Sequence, residues 1–256
     1  MFIKLLVHEF RATVRNFLPI YAAMLAAGVV LYFSYFWIQN GWLTAFSMGM
    51  LLLTIFALAF VTPILCGFRF YRSLYSEQGY LWFSLPVTRA TLMHSKLVMA
   101  FFWAIFGAIC SWAMFYLLYL IGVDRDFWIS HLMTWFLSLN HSSTLFLITA
   151  QAILIAMTFV TEVYACIAVS QSTYNQNKLL VGIGLYITFM IISSTVGPLI
   201  MGLLIQLPLS LMFQANNPIL NIIDNVLIVT LIGKFIECGI YYAIAWYYCT
   251  KKLNLQ

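Results

Sequence analysis

Apolar positions in this chain come in six long runs: Phe17–Ile38, Leu43–Gly67, Leu97–Val123, Thr144–Val169, Leu179–Gln206 and Val226–Tyr248. Each holds about 22 to 28 residues, and a helix of about 20 crosses a hydrocarbon core of roughly 30 Å. The pattern predicts an all-α integral membrane protein, residues 1–256 forming a single transmembrane domain of six transmembrane helices.

Residues 1–16 follow a different rule. Ile3, Val7, Phe10, Val14 and Phe17 recur at helical spacing and share one face, while Lys4, His8, Arg11 and Arg15 share another. This predicts an N-terminal amphipathic interfacial helix, its basic residues facing headgroups. The alternative is a helical extension of the first span. Pro19 is expected in the opening turn of that span, where a missing N–H costs little. Two further segments, Asp124–Ser143 and Leu207–Asn225, are apolar but too short and interrupted to cross. They are expected in the outer interface or dipping into it.

The one long polar interruption is Phe68–Lys96, with Arg69, Arg72, Glu77, Arg89 and Lys96. It predicts a cytoplasmic loop over 68–96. With the N-terminus inside, Lys4, Arg11, Arg15, Arg69, Arg72, Arg89, Lys96, Lys178, Lys251 and Lys252 fall on the inner side. Arg125 is then the outer cation, and Lys234 lies within the sixth span. This bias predicts a multi-pass protein with both termini cytoplasmic.

Composition excludes a soluble domain: 64% of residues are hydrophobic and 7% charged, against about 25% charged in soluble proteins. Cys66, Cys110, Cys166, Cys238 and Cys249 lie in or beside apolar runs, with no disulfide or zinc spacing, and read as packing residues. No cleavable signal peptide is expected, because no small-residue site follows a short apolar core near the N-terminus. There is no phosphate-binding glycine loop ending in Gly-Lys-Ser/Thr. His8-Glu9 lacks the second histidine of a zinc-protease helix, and His8, His94, His131 and His141 fall on both sides of the membrane. No catalytic set and no metal site can be named, and no nucleic-acid partner is expected.

Three ionisable residues fall inside spans: Glu162, Lys234 and Glu237. Charge in hydrocarbon is costly, so each must face protein, water or a partner. Lys234 and Glu237 are three apart and can pair; the pair either neutralises itself or lines a polar patch. Glu162 sits nearer the inner end of its span, within reach of headgroups. Pro63 and Pro198 are expected to kink their spans. Ala22/Ala26, Ala23/Ala27 and Ser193/Gly197 are small pairs that permit close helix contact.

Arg69-Phe70-Tyr71-Arg72-Ser73-Leu74-Tyr75, Glu77-Gln78-Gly79-Tyr80-Leu81, Leu85-Pro86-Val87-Thr88-Arg89 and Ser95-Lys96 together resemble the permease subunits of ABC-2 type ABC transporters, in a group common in Gram-positive bacteria. The short loop Ser172–Lys178 and the ending Lys251-Lys252-Leu253-Asn254-Leu255 are similar to that group as well. The resemblance implies an ABC-2 (type V exporter-like) architecture in the bacterial cell membrane. It also implies a second permease, as homodimer or sister chain, and a separate ATPase subunit that carries ATP and magnesium. This chain itself is then no enzyme and binds no cofactor.

The resemblance makes the loop between spans two and three the ATPase-coupling element, with Arg72, Glu77, Gly79, Tyr80, Leu81, Phe83, Leu85 and Arg89 as its contact residues. Lys4, His8, Arg11 and Arg15 of the interfacial helix would also touch the ATPase. Thr88 can cap the helix that starts at Arg89, Gly79 permits a sharp turn and Pro86 stiffens the approach. Tyr80, Leu81, Trp82, Phe83 and Leu85 suit a docking groove, or alternatively a membrane-interface belt. Spans two and five would line the substrate path, with Thr54, Met190 and Ser194 as its candidates. The implied function is export of an amphipathic or hydrophobic substrate, a peptide such as a toxin or antimicrobial, or else a drug or lipid. A non-transporting immunity or sensor protein is the alternative.

Overall fold

The computed structural model describes residues 2–75, 88–123, 142–173, 177–205 and 218–251. Among them there is no strand. The helices are α1 (Phe2–Phe33), continued by a π-helical turn (Ser34–Ile38), α2 (Gly41–Leu74), α3 (Arg89–Val123), α4 (Ser142–Ser172), α5 (Lys178–Ile205) and α6 (Pro218–Lys251). All six are long and apolar enough to cross a membrane, which makes the chain a multi-pass membrane protein.

The helices outrun the apolar runs. The α2 helix continues to Leu74 and α3 begins at Arg89, so both ends of the polar stretch 68–96 are helical. Likewise α6 begins at Pro218, ahead of the sixth apolar run, with proline at the first helical position, where its missing N–H is tolerated. Residues 124–141 and 206–217 of the two short, interrupted apolar segments lie outside the described residues.

Residues 2–16 form no separate helix. They are the first turns of α1, which runs unbroken into the first span, so the alternative of a helical extension holds. Pro19 is therefore inside a helix rather than in an opening turn. It denies the Arg15 carbonyl its donor, at a cost of about 3 kcal/mol. Burial of Phe17, Tyr21 and Met24 around it holds the helix together. The packed face also differs from the expected one. Leu5, Glu9, Thr13 and Phe17 are buried, whereas Ile3, Val7 and Phe10 are exposed. The i, i+4 row that includes Glu9 is the row that meets α2 and α3, and it leaves Ile3, Val7 and Phe10 outside beside the basic stripe.

The first hairpin is closed by polar groups. Gln39 turns into the left-handed region (φ 54°) and donates its N–H to the Ser34 carbonyl at 3.1 Å. Asn40 Oδ1 then caps α2 by accepting from the Trp42 N–H at 3.1 Å. Below the turn, the hydroxyls of Ser34 and Ser47 meet at 2.9 Å.

The centre of the bundle is α4, which packs against α2, α3, α5 and α6. Its Tyr164 is fully buried and stacks on Phe70 of α2, centroids 4.1 Å apart. Gly67, one turn away, permits that approach, because a Cβ there would collide with the Val163 side chain. On the other side Phe17 of α1 stacks on Trp103 of α3 at 4.5 Å. The outermost helix is α5, in which no residue of Lys178–Thr195 is buried.

Candidate functional site

The most constrained polar group lies where α1, α2 and α3 meet. Glu9 is on the packed face of α1, about 5% exposed. Its Oε1 accepts from Lys96 Nζ at 2.7 Å and its Oε2 from Arg69 Nη2 at 3.3 Å. Lys96 is 6% exposed and Arg69 is 19% exposed. One carboxylate thus joins three helices and spends both oxygens doing so. Away from water each charge is costly alone, and the attraction between them is correspondingly strong.

This cluster corrects the picture of 68–96 as an open polar loop. Arg69 and Lys96 are helical residues turned into the bundle. Around them the same end of the bundle is stitched by other contacts. His94 Nε2 and Tyr242 Oη meet at 2.6 Å, and Tyr75 Oη lies 3.2 Å from Cys249 Sγ. Tyr75 follows the last residue of α2, and burial raises its phenol above the usual range. Lys4, Arg11, Arg15 and Arg72 are exposed, as is His8, and Lys178 is half-buried. Arg72 occupies the last turn of α2, where a cation suits the helix dipole. Thr88 caps α3 as its sequence predicts: Thr88 Oγ1 accepts from the Thr91 N–H at 3.4 Å and meets the Thr91 hydroxyl. Arg89 opens α3. Glu77, Gly79, Tyr80, Leu81, Trp82, Phe83, Leu85 and Pro86 lie outside the described residues.

Sequence reasoning missed Glu9 as a member of this site. The available signal was an acid at the i+4 position from Leu5 and the i−4 position from Thr13, on a helix otherwise marked by basic residues.

The intramembrane charges come together as a second cluster. Lys234 Nζ lies 2.6 Å from Glu237 Oε2 on α6. From α5, Ser193 Oγ donates to the same oxygen at 3.3 Å, and Lys234 Nζ reaches Ser193 Oγ at 3.5 Å. Gly197, the other half of the small pair, would place a Cβ 3.6 Å from Glu237 Oε1. Ser193 and Gly197 therefore do bring α5 close to α6, whereas Ala22, Ala23 and Ala26 are exposed in this chain. Glu162 on α4 is half-buried and feels the charges of Lys234 and Glu237, and its Oε1 is buried with no hydrogen-bond partner among the described residues. That oxygen is turned into the bundle.

The path candidates do not form one surface within a single chain. Thr54 is half-buried on α2, its hydroxyl donating to the Leu51 carbonyl at 2.8 Å. Met190 and Ser194 are exposed on α5, which packs on α4 and α6. The five cysteines are free thiols, buried or half-buried. Comparison with protein-family models, curated proteins and solved structures finds no match to this chain.

Proposed function

We propose that this chain is the membrane-spanning permease subunit of an ATP-driven exporter of the ABC-2 type. It would carry an amphipathic or hydrophobic substrate, a peptide such as a toxin or antimicrobial, out across the bacterial cell membrane. Six apolar helices and the resemblance of Arg69–Lys96 support this reading. The observation that carries it furthest is mechanical. The stretch bearing the resemblance joins α2 to α3, and both helices are fastened to α1 by Glu9. A push on residues 76–87 by an ATPase subunit would reach three helices at once instead of bending a loose loop.

On this reading the end of the bundle carrying Lys4, Arg11, Arg15, Arg72 and Lys178 is cytoplasmic. Exposed Ile3, Val7 and Phe10 then rest in the inner leaflet, with the basic residues at headgroup level, so the start of α1 acts at the interface. A second copy would complete the machine. The rows left bare on α2 (Phe46, Phe56, Phe60) and on α5 (Ile187, Met190, Ser194) would face each other across the two copies and line the path. ATP and magnesium would stay on the partner ATPase.

The test is purification of the tagged chain from its native membrane in mild detergent. An ATPase subunit should co-elute at a fixed ratio, and deleting that subunit's gene should abolish export. If no ATPase co-elutes and export survives the deletion, the reading fails.

A further inference from the structure

Three helices bring ionisable and polar groups together far from either end of the bundle. Lys234 stands at the centre of α6, and Glu237 follows one turn later on the same face. Thr161 Oγ1 reaches Cys238 Sγ at 3.7 Å, which sets Glu162 of α4 level with Glu237 of α6. These two helices form the most extensive helix contact among the described residues. Ser193 of α5 closes the third side by donating to the Glu237 carboxylate at 3.3 Å. The charged groups that act on Glu162 are Lys234 and Glu237. Its other titratable neighbours are the phenols of Tyr186 on α5 and Tyr241 on α6 and the Cys166 thiol, one turn further along α4. No charged group of α2 or α3 acts on it among the described residues.

The charges in this cluster do not balance. Two acids share one ammonium, and that ammonium is already committed. Lys234 Nζ lies 2.6 Å from Glu237 Oε2, and Ser193 Oγ donates to the same oxygen. Glu162 forms no ion pair among the described residues. Its Oε1 is buried without a hydrogen-bond partner and is closed to any outside group. A carboxylate oxygen held there would keep its negative charge with nothing to answer it, which is costly in hydrocarbon. The carbonyl oxygen of a neutral acid loses far less in the same place. Two acids around one cation are driven apart in protonation, and the acid without the cation takes the proton.

We propose that Glu162 is a proton-binding site inside the membrane. The proton sits on Oε2, Oε1 is the carbonyl oxygen, and Glu237 keeps its charge through Lys234 and Ser193. The proton is taken from water, and the O–H bond is the one bond formed. Its release leaves two carboxylates facing one ammonium, so α4 and α6 hold together better with the proton bound than without it. The site is assembled within one chain and is independent of the transport reading.

The experiment compares infrared spectra of the full chain in nanodiscs at neutral pH, wild type against Glu162→Gln. The difference should be the loss of one protonated-acid C=O band, and that band should fade from wild type as the pH is raised. Loss of carboxylate bands instead means that Glu162 is ionised and overturns the proposal. In Lys234→Met a second protonated-acid band should appear, and Lys234→Met/Glu237→Gln should remove it. A Lys234→Met spectrum without an added acid band overturns the role of Lys234 in choosing which acid is charged. The folded chain holds a proton that the unfolded chain gives up, so wild type should lose thermal stability as the pH rises through its release, and Glu162→Gln should lack that loss. Parallel profiles overturn the link to packing. Size-exclusion elution shows whether each variant is folded. If Glu162→Gln is not, wild type decides with dicyclohexylcarbodiimide, an apolar reagent that adds to a protonated carboxyl and stays on it as an N-acylurea. Mass spectrometry should then find Glu162 labelled about 10-fold or more above Glu237. Labelling of Glu162 no greater than that of Glu237 overturns the assignment.

Discussion

Glu9 Oε1 lies 2.7 Å from Lys96 Nζ, a contact between residues 87 apart in the chain and both more than nine-tenths buried. Arg69 takes the second oxygen at 3.3 Å, so the acid is shared between two cations. Removing different members should therefore have unequal effects.

Glu9→Ala leaves Lys96 and Arg69 buried together without a counter-charge, and breaking a buried pair in this way costs about 3–5 kcal/mol. Lys96→Met leaves Glu9 still paired with Arg69 and should cost clearly less. Thermal unfolding in one detergent should rank wild type above Lys96→Met, and Lys96→Met above Glu9→Ala. Equal, small effects from both would mean that the cluster does not hold the three helices.

The Lys234–Glu237 pair, at 2.6 Å, calls for a double-mutant cycle. Glu237→Gln strands an ammonium in an apolar setting, and Lys234→Met leaves Glu237 and Glu162 as two acids with no cation between them. Each single variant should lower stability or yield in the membrane, and Lys234→Met/Glu237→Gln should recover part of the loss. A coupling free energy near zero would mark the two side chains as independent.

Much of this architecture was legible in the sequence, and what was not has a common cause. Hydropathy reports where a membrane would begin and end, so it pointed to all six long apolar helices. It does not report where a helix ends. Arg69, Arg72 and Leu74 continue α2 past its apolar run because arginine and leucine propagate helix well. Helical wheels likewise sorted residues 1–16 into apolar and basic stripes. They could not say which row meets the bundle, since that depends on Arg69 and Lys96, supplied by later helices. Ser193 of α5 joining Lys234 and Glu237 of α6 is hidden for the same reason. The Thr88 cap was readable because capping is local.

Sidedness follows from the basic end of the bundle. With background from the buried native thiols subtracted, Lys4→Cys and Lys178→Cys should react with a membrane-impermeant maleimide only after the cells are opened. Asn40→Cys, in the exposed turn between α1 and α2, should react from outside in intact cells. The reverse pattern would invert the orientation.

The central claim is that the stretch between α2 and α3 couples an ATPase to this bundle. The most direct measurement is the hydrolysis rate of the co-purifying ATPase in nanodiscs, with and without this chain, for wild type and for Tyr80→Ala/Leu81→Ala/Arg89→Ala. Coupling predicts that the wild-type chain changes the rate and that the triple variant, still assembled in the membrane, does not. A triple variant that modulates hydrolysis as fully as wild type would contradict it.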